Sequence, residues 1–172
     1  PDPAAVFGGS GVVDCRLYRW DAPYQGLLMY GTSSPDLFGA MTNSEGYWLK
    51  ASSTVGGTVS YEGFTESTLD RWISAPKGWK ISGMPFTYST WWPSWTATDG
   101  TAMKKIRDAS QWGVNWMQSL GYYWDPVGQG QLTFGVADDA PWTSQLDPWY
   151  GYWVKTKKHV GLVARADALP PP

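Results

Sequence analysis

The feature that most constrains this chain is a five-residue pattern that occurs twice. Gly46-Tyr47-Trp48-Leu49-Lys50 returns as Gly151-Tyr152-Trp153-Val154-Lys155, 105 positions later. The residues ahead of each copy echo as well. Trp20-Asp21 matches Trp124-Asp125, and Gln25-Gly26 matches Gln129-Gly130, both 104 positions apart. Leu28, Tyr30 and Gly31 match Leu132, Phe134 and Gly135 at the same offset. One added residue between the two blocks is what a surface loop tolerates. The chain is therefore an internal duplication, to be read as two related halves, 1–66 and 67–172, in one body.

The repeated pattern reads as a central strand. Tyr and Trp face opposite sides, Gly lets a neighbouring aromatic pack on the backbone, and Lys closes at the rim. A ligand platform built from Tyr152 and Trp153 is the alternative. Duplication favours the strand, because core residues keep their register in both copies and a ligand site needs only one. On this reading Trp20, Trp48, Trp79, Trp124 and Trp153 form the core of the repeat.

Other strands follow from alternation and turn residues. Asp14–Trp20 and Leu27–Tyr30 form a hairpin around Asp21-Ala22-Pro23. Gly46–Lys50 and Thr58–Tyr61 complete the first half. Trp79-Lys80-Ile81-Ser82-Gly83 alternates large apolar with polar and reads as half-buried. Pro85 ends it, because proline cannot donate to a ladder. Leu120–Trp124, Leu132–Phe134, Gly151–Lys155 and Val160–Ala164 mirror the first half. Asp99 is placed to cap a helix over roughly 101–112, with Met103, Ile106, Ala109 and Ser110 on one face and Gly113 as its stop. The expected fold is all-β, sandwich-like or a pseudo-twofold duplicated module, with that one short helix.

Composition narrows the function classes. Net charge is −2 and charged residues make up 16%, with no basic block, so nucleic-acid binding is unsupported. No apolar run approaches the ~20 residues of a membrane-spanning helix. Cys15 is the single cysteine, so an intramolecular disulfide and a Cys-based metal site are both excluded. It reads as a buried free thiol or as one end of an intermolecular bridge. His159 is the single histidine; among Lys157, Lys158 and Val160 it reads as strand surface.

Candidate chemistry is sparse. No Gly-x-Ser-x-Gly elbow is present, and Phe7-Gly8-Gly9-Ser10-Gly11 lacks the strand–loop–helix context of a phosphate loop. Asp21 and Asp125 suit Asx-type turn hydrogen bonds better than a catalytic carboxylate pair. Asp138, Asp139 and Asp147 read as solvated loop rather than a Ca²⁺ site. No catalytic residue, metal ligand or cofactor site is assigned. Trp91, Trp92 and Trp95 flank Pro93 and have no counterpart in the first half. Loop aromatics of this kind are either folded over the core or exposed for binding, which makes them the candidates for stacking on sugar.

Gly78-Trp79-Lys80-Ile81-Ser82-Gly83-Met84-Pro85-Phe86 resembles the "GWNLIGNPF" strand of a β-rich module of secreted bacterial proteins. That family continues with a short helix, a "YYWD" hairpin and "L-x-P-W-x-G-Y-W-V". This chain supplies Tyr122-Tyr123-Trp124-Asp125 and Leu146-Asp147-Pro148-Trp149-Tyr150-Gly151-Tyr152-Trp153-Val154. Leu17–Asp21 and Asn43–Lys50 are similar to the preceding unit. Lys80 departs from the family's polar Asn, and Ser82-Gly83-Met84 departs from "IGN". The first half lacks the opening Gly-Trp strand that the family places ahead of a segment like Asp2-Pro3-Ala4-Ala5-Val6-Phe7. The resemblance implies an extracellular, non-catalytic module and brings no ligand or catalytic residues.

The expected function is a non-enzymatic extracellular structural or assembly module. It would be a subunit of a cell-surface filament or polymer joined by strand complementation, since a half without its opening strand leaves an edge for another chain to fill. Its partners would be copies of itself or other cell-surface proteins. Carbohydrate binding through exposed Trp side chains, with polysaccharide as the partner, is the alternative.

Overall fold

Both copies of the repeat fold into the same three-stranded unit, residue for residue. The computed structural model describes Pro3 and residues 16–31, 38–42, 45–50, 69–136 and 143–169. In the first half, β1 (Arg16–Asp21) pairs antiparallel with β2 (Gly26–Met29), setting Tyr18 opposite Met29 and Asp21 opposite Gly26. On its other side β1 pairs with β3 (Tyr47–Lys50), setting Trp48 opposite Tyr18.

The second half continues with β4 (Arg71–Ala75), β5 (Gly78–Gly83), β6 (Thr90–Trp91), a 3₁₀ turn at Trp92–Ser94 and β7 (Thr96–Thr98). Then come β8 (Met103–Lys105), α1 (Ile106–Ser110), β9 (Leu120–Asp125) and β10 (Gly130–Gly135). β11 (Gln145–Leu146), β12 (Gly151–Thr156) and β13 (Val160–Ala164) complete the described elements. β9 pairs with β10, Tyr122 opposite Thr133 and Asp125 opposite Gly130, and with β12, Tyr122 opposite Trp153. Each of these pairs is a first-half pair moved by the repeat offset. Period-two register leaves no freedom here, because a slip of one residue would turn every aromatic to the wrong face.

The hairpin turns repeat too. Gln25 and Gln129 take the same left-handed backbone, φ 51° and 52°. Asp21 Oδ1 accepts the Tyr24 N–H at 3.1 Å, and Asp125 Oδ1 accepts the Val127 N–H at 2.9 Å. These are the turn hydrogen bonds the sequence indicates for both aspartates.

The strands form three layers, an all-β sandwich-like arrangement. The first sheet runs β2-β1-β3, the second β10-β9-β12-β5, and the third β4-β13-β7-β8. A small β11-β6 pair lies beside them. The dry core lies between the second and third sheets. Tyr152, Val154 and Phe134 face Ile73, Ala97, Val160 and Leu162, and Trp92, Trp95, Ile106, Trp116 and Met117 belong to the same cluster. Tyr152 also donates its hydroxyl to Asp147 O and accepts the Asp147 N–H, so its buried oxygen is satisfied.

Several expectations are corrected. The helix expected over 101–112 is limited to α1, Ile106–Ser110. Met103–Lys105 instead pairs with β7, Thr98 opposite Met103, so these residues extend the third sheet. Asp99 caps the β7–β8 turn rather than a helix, accepting the Thr101 and Ala102 N–H groups at 3.1 and 3.0 Å and pairing with Lys158 at 2.6 Å. These bonds hold its carboxyl well below the usual carboxylate range, with Lys158 the leading cause. Trp72 and Ile73 lie in β4, a strand that the sequence reading did not include, which pairs along β13. His159 is exposed in the turn between β12 and β13. Cys15, the Thr58–Tyr61 strand and Asp138-Asp139 lie outside the described residues.

Candidate functional site

The two halves meet on the Trp face of the second sheet, and the contacts repeat around a pseudo-twofold axis. Trp20 of β1 packs edge-on against Trp153 of β12, ring centroids 4.9 Å apart. Trp124 of β9 packs against Trp48 of β3 at 5.4 Å. Moving Trp20 and Trp153 by the repeat offset produces Trp124 and Trp48, so each contact is the image of the other. Gly46 and Gly151 sit where the copies cross. A Cβ on Gly46 would come within 2.1 Å of Ile81 Cγ2 and 3.2 Å of Gly151 Cα. Glycine is required here because backbone meets backbone and an aliphatic side chain. The neighbour is thus Ile81 and the other glycine, not the aromatic that the sequence pattern indicates.

β5 is the strand that the first half grips. Gln25 makes a paired contact with the Trp79 backbone: its Oε1 accepts the Trp79 N–H at 2.7 Å and its Nε2 donates to Trp79 O at 2.9 Å. Trp20 Nε1 donates to the same carbonyl at 2.7 Å. Further along, the Gly46 N–H donates to Ile81 O at 3.1 Å. Gly78 precedes the gripped residue with φ 114°, and a Cβ there would collide with the Gln25 amide at 2.6 Å. Hence the Gly-Trp pair opening β5 is a docking feature as well as a strand start.

Lys80 overturns the half-buried reading of β5. Its side chain is buried although it occupies the polar side of the alternation, and Ser82 is buried as well. Glu45 lies 3.8 Å from Lys80 Nζ and 3.5 Å from Arg19. Burial pushes the Lys80 amine below its ordinary value, opposed by the Glu45 carboxylate. Loss of water drives the first effect and the neighbouring opposite charge the second. Tyr47 Oη donates to Glu45 Oε2 at 3.3 Å, and burial raises its own pKa.

A cleft of ≈ 450 Å³ opens beside β3, lined by Trp48, Leu49, Trp124, Pro126, Trp149 and Tyr150 among others. A second of ≈ 370 Å³ shares Trp48 and Trp124 and adds Trp79 and Tyr122. Trp48 and Leu49 are each 37% exposed, Trp124 is 36% exposed and Trp149 is 75% exposed. The five tryptophans expected to form the repeat core therefore line the junction between the halves, none of them fully buried. Lys155 Nζ lies 5.2 Å over the Trp79 ring, which closes that end of the junction.

The stacking candidates lie elsewhere. Trp92 and Trp95 are folded over the core, 2% and 1% exposed, and Trp91 is half-buried in β6 opposite Gln145. Trp95 Nε1 donates to Thr90 Oγ1 at 2.9 Å inside the core. Trp92 and Trp95 thus offer no face to a sugar. Asp147 is taken up by Ser89 Oγ at 2.6 Å and Gln145 Nε2 at 2.7 Å. No group of three or more His, Cys, Asp or Glu side chains among the described residues could hold a metal ion. No helix among them is long and apolar enough to cross a membrane.

Sequence reasoning assigns Gln25 no role. Its recurrence as Gln129, in a turn that otherwise varies, is the signal that could have found it. Set against known protein families, curated proteins and solved structures, the chain matches none.

Proposed function

We propose that this chain is a non-enzymatic structural module of the extracellular surface, a bacterial secreted subunit that joins into filaments or polymers by accepting a strand. The observation that carries this reading is the unequal flanking of the two repeat copies. β12 has a strand on each side, whereas β3 has β1 on one side and no partner on the other among the described residues. An edge strand with exposed Trp48 and Leu49, and no charge in its middle, is what strand addition uses and what isolated proteins blunt. The low charge content and the half-exposed tryptophans beside that edge fit an interface, where Trp and Tyr are enriched. Electron microscopy and size-exclusion chromatography of the native secreted material test the reading. Ordered polymers are expected, and strictly monomeric protein overturns it.

Carbohydrate stacking is the second reading. It now rests on Trp124 and Trp149, whose indoles are exposed at the cleft, instead of the Trp91–Trp95 segment. Affinity electrophoresis on polysaccharides with Trp149→Ala tests it; retardation lost in the variant supports stacking, and absence of retardation in the parent excludes it for those polymers.

A further inference from the structure

The pseudo-twofold axis specifies what the β3 edge accepts. Its first side is occupied: Trp20, Gln25 and Gly46 hold β5 through the backbone of Trp79 and Ile81. The second side carries the same apparatus. Gln129 has the backbone of Gln25, and its Nε2 donates to Pro126 O at 2.5 Å as Gln25 Nε2 donates to Ala22 O at 2.5 Å. The amide is thus held in one orientation by its own turn. Its Oε1, the counterpart of the atom that accepts the Trp79 N–H, accepts no hydrogen bond among the described residues. Trp124 Nε1, the counterpart of the indole N–H donated to Trp79 O, likewise donates to none of them. The cleft of ≈ 450 Å³ is lined by Trp48 and Leu49 of the β3 edge and, from the second unit, by Trp124 and by Pro126, which belongs to the turn that carries Gln129.

We propose that this site binds an extended segment of another protein chain with the pattern Gly-Trp–uncharged residue–Ile–Ser–Gly, laid antiparallel along β3 and clamped at its tryptophan backbone by Gln129 and Trp124. The inference rests on the assembly reading and names its partner. Each element of the pattern has a reason in the occupied side. Glycine comes first because a Cβ at Gly78 would strike the Gln25 amide. Tryptophan comes second because Trp79 fills the aromatic layer, 5.9 Å from Tyr122 and 6.4 Å from Trp153. Isoleucine comes fourth because Ile81 sits against both crossing glycines.

The third residue is where the two sides differ. On the occupied side Lys80 is accommodated by Glu45, which Arg19 also approaches. At the repeat offsets, Tyr150 stands for Glu45 and Tyr123 for Arg19, and these two rings pack edge-to-face at 5.5 Å. A lysine brought there finds a tyrosine ring where Glu45 stands, and the carboxylates that act on Tyr123 are already engaged, Asp147 by Ser89 and Gln145 and Asp125 by the Val127 N–H, so the donor carries an uncharged residue. This also sets the chain's own β5 apart as a donor: Lys80 is wrong for the site, and β5 is already paired with β12 from Gly78 to Gly83.

A fluorescently labelled peptide, Gly-Trp-Ser-Ile-Ser-Gly-Met-Pro-Phe, is titrated with the whole chain and read by anisotropy. Saturable one-to-one binding is expected. N-methylation of the peptide tryptophan, which removes the N–H aimed at Gln129, should weaken it about tenfold, as should lysine at the third position. Gln129→Ala should weaken it to a similar degree, with the circular dichroism spectrum unchanged. Trp124→Phe keeps an aromatic ring beside Trp48 and loses the N–H donor together with part of the ring area, so a several-fold loss is expected. Absence of saturable binding, or binding indifferent to both N-methylation and Gln129→Ala, overturns the inference. The outcomes separate from the assembly reading. Polymeric native material with no peptide binding removes this donor pattern and keeps assembly. Peptide binding with strictly monomeric native material keeps the site and removes the polymer.

Discussion

β3 and β12 carry nearly the same five residues and live in different surroundings. Tyr152 and Val154 are buried against the third sheet, and Trp153 is covered by Trp20 and Trp79. Tyr47 is only half-buried, and Leu49 and Trp48 are exposed. The difference is not in the strand but in what flanks it: β12 lies between β9 and β5, and β3 has β1 alone among the described residues. A duplicated sequence thus made two related docking surfaces, and among the described residues one of them is filled. Conformation follows the local pattern, whereas burial follows the neighbours.

That comparison can be broken first at the tryptophans. Trp95→Ala empties a site in the dry core and removes the hydrogen bond to Thr90 Oγ1, so a loss of about 4 kcal/mol is expected in denaturant unfolding. Trp124→Ala, on the open side, should cost about 1 kcal/mol or less, since its ring already meets solvent. Equal losses would mean that the second side is covered after all.

The crossing glycines offer the next contrast. Gly46→Ala places its methyl 2.1 Å from Ile81 Cγ2 and should destabilise by about 3 kcal/mol. Gly151→Ala comes only within 3.1 Å of the same atom and should cost about 1 kcal/mol. Combining Gly46→Ala with Ile81→Ala should recover part of the loss, because the collision partner is removed. A strictly additive double mutant would show that Ile81 is not the obstacle.

Gln25→Ala removes both bonds to the Trp79 backbone, at an expected cost of about 1–2 kcal/mol. Among the described residues Gln129→Ala loses only the bond within its own turn, and it should stay within about 0.5 kcal/mol of the parent. A matching loss at both glutamines in the isolated chain would indicate that Gln129 already has a partner.

The smallest effect lies away from the axis and calibrates these measurements. Asp99 has a folded-state pKa depressed below its ordinary 3.8, chiefly by Lys158. Its contribution is therefore present above pH 3.8 and disappears as pH falls toward the folded value. Asp99→Asn should flatten the acid limb of the stability profile below pH 3.8. An unchanged acid limb would show that the Lys158 pair contributes nothing measurable, as exposed pairs often do not.

Much of the fold was legible in the chain. The echo at 104 and 105 positions identified the β1-β2-β3 and β9-β10-β12 units, and alternation placed most of their residues. Asp21 and Asp125 were legible as turn acceptors because an Asx bond is local. Less was legible in the segment between the halves. β7 and β8 are three residues each, too short for a period to appear, and Met103–Lys105 carries a helix-compatible pattern that pairing with Thr96–Thr98 overrides. The role of Trp92 and Trp95 was open for the same reason: a tryptophan in a loop has no periodicity to say which way it turns.

By itself the sequence determined the number of repeat units, most of the strands within each and the turn chemistry, because these depend on neighbours within a few residues or across a hairpin. Only the tertiary structure decided that the glycines of Gly-Tyr-Trp are a crossing point, that Lys80 is buried beside Glu45, and that Gln25 grips a strand while Gln129 grips none among the described residues. Those outcomes depend on how one unit is turned onto the other. Residues 35 to 105 positions apart meet there through backbone groups, charges and side-chain amides, and such contacts leave no spacing in the chain from which to read them.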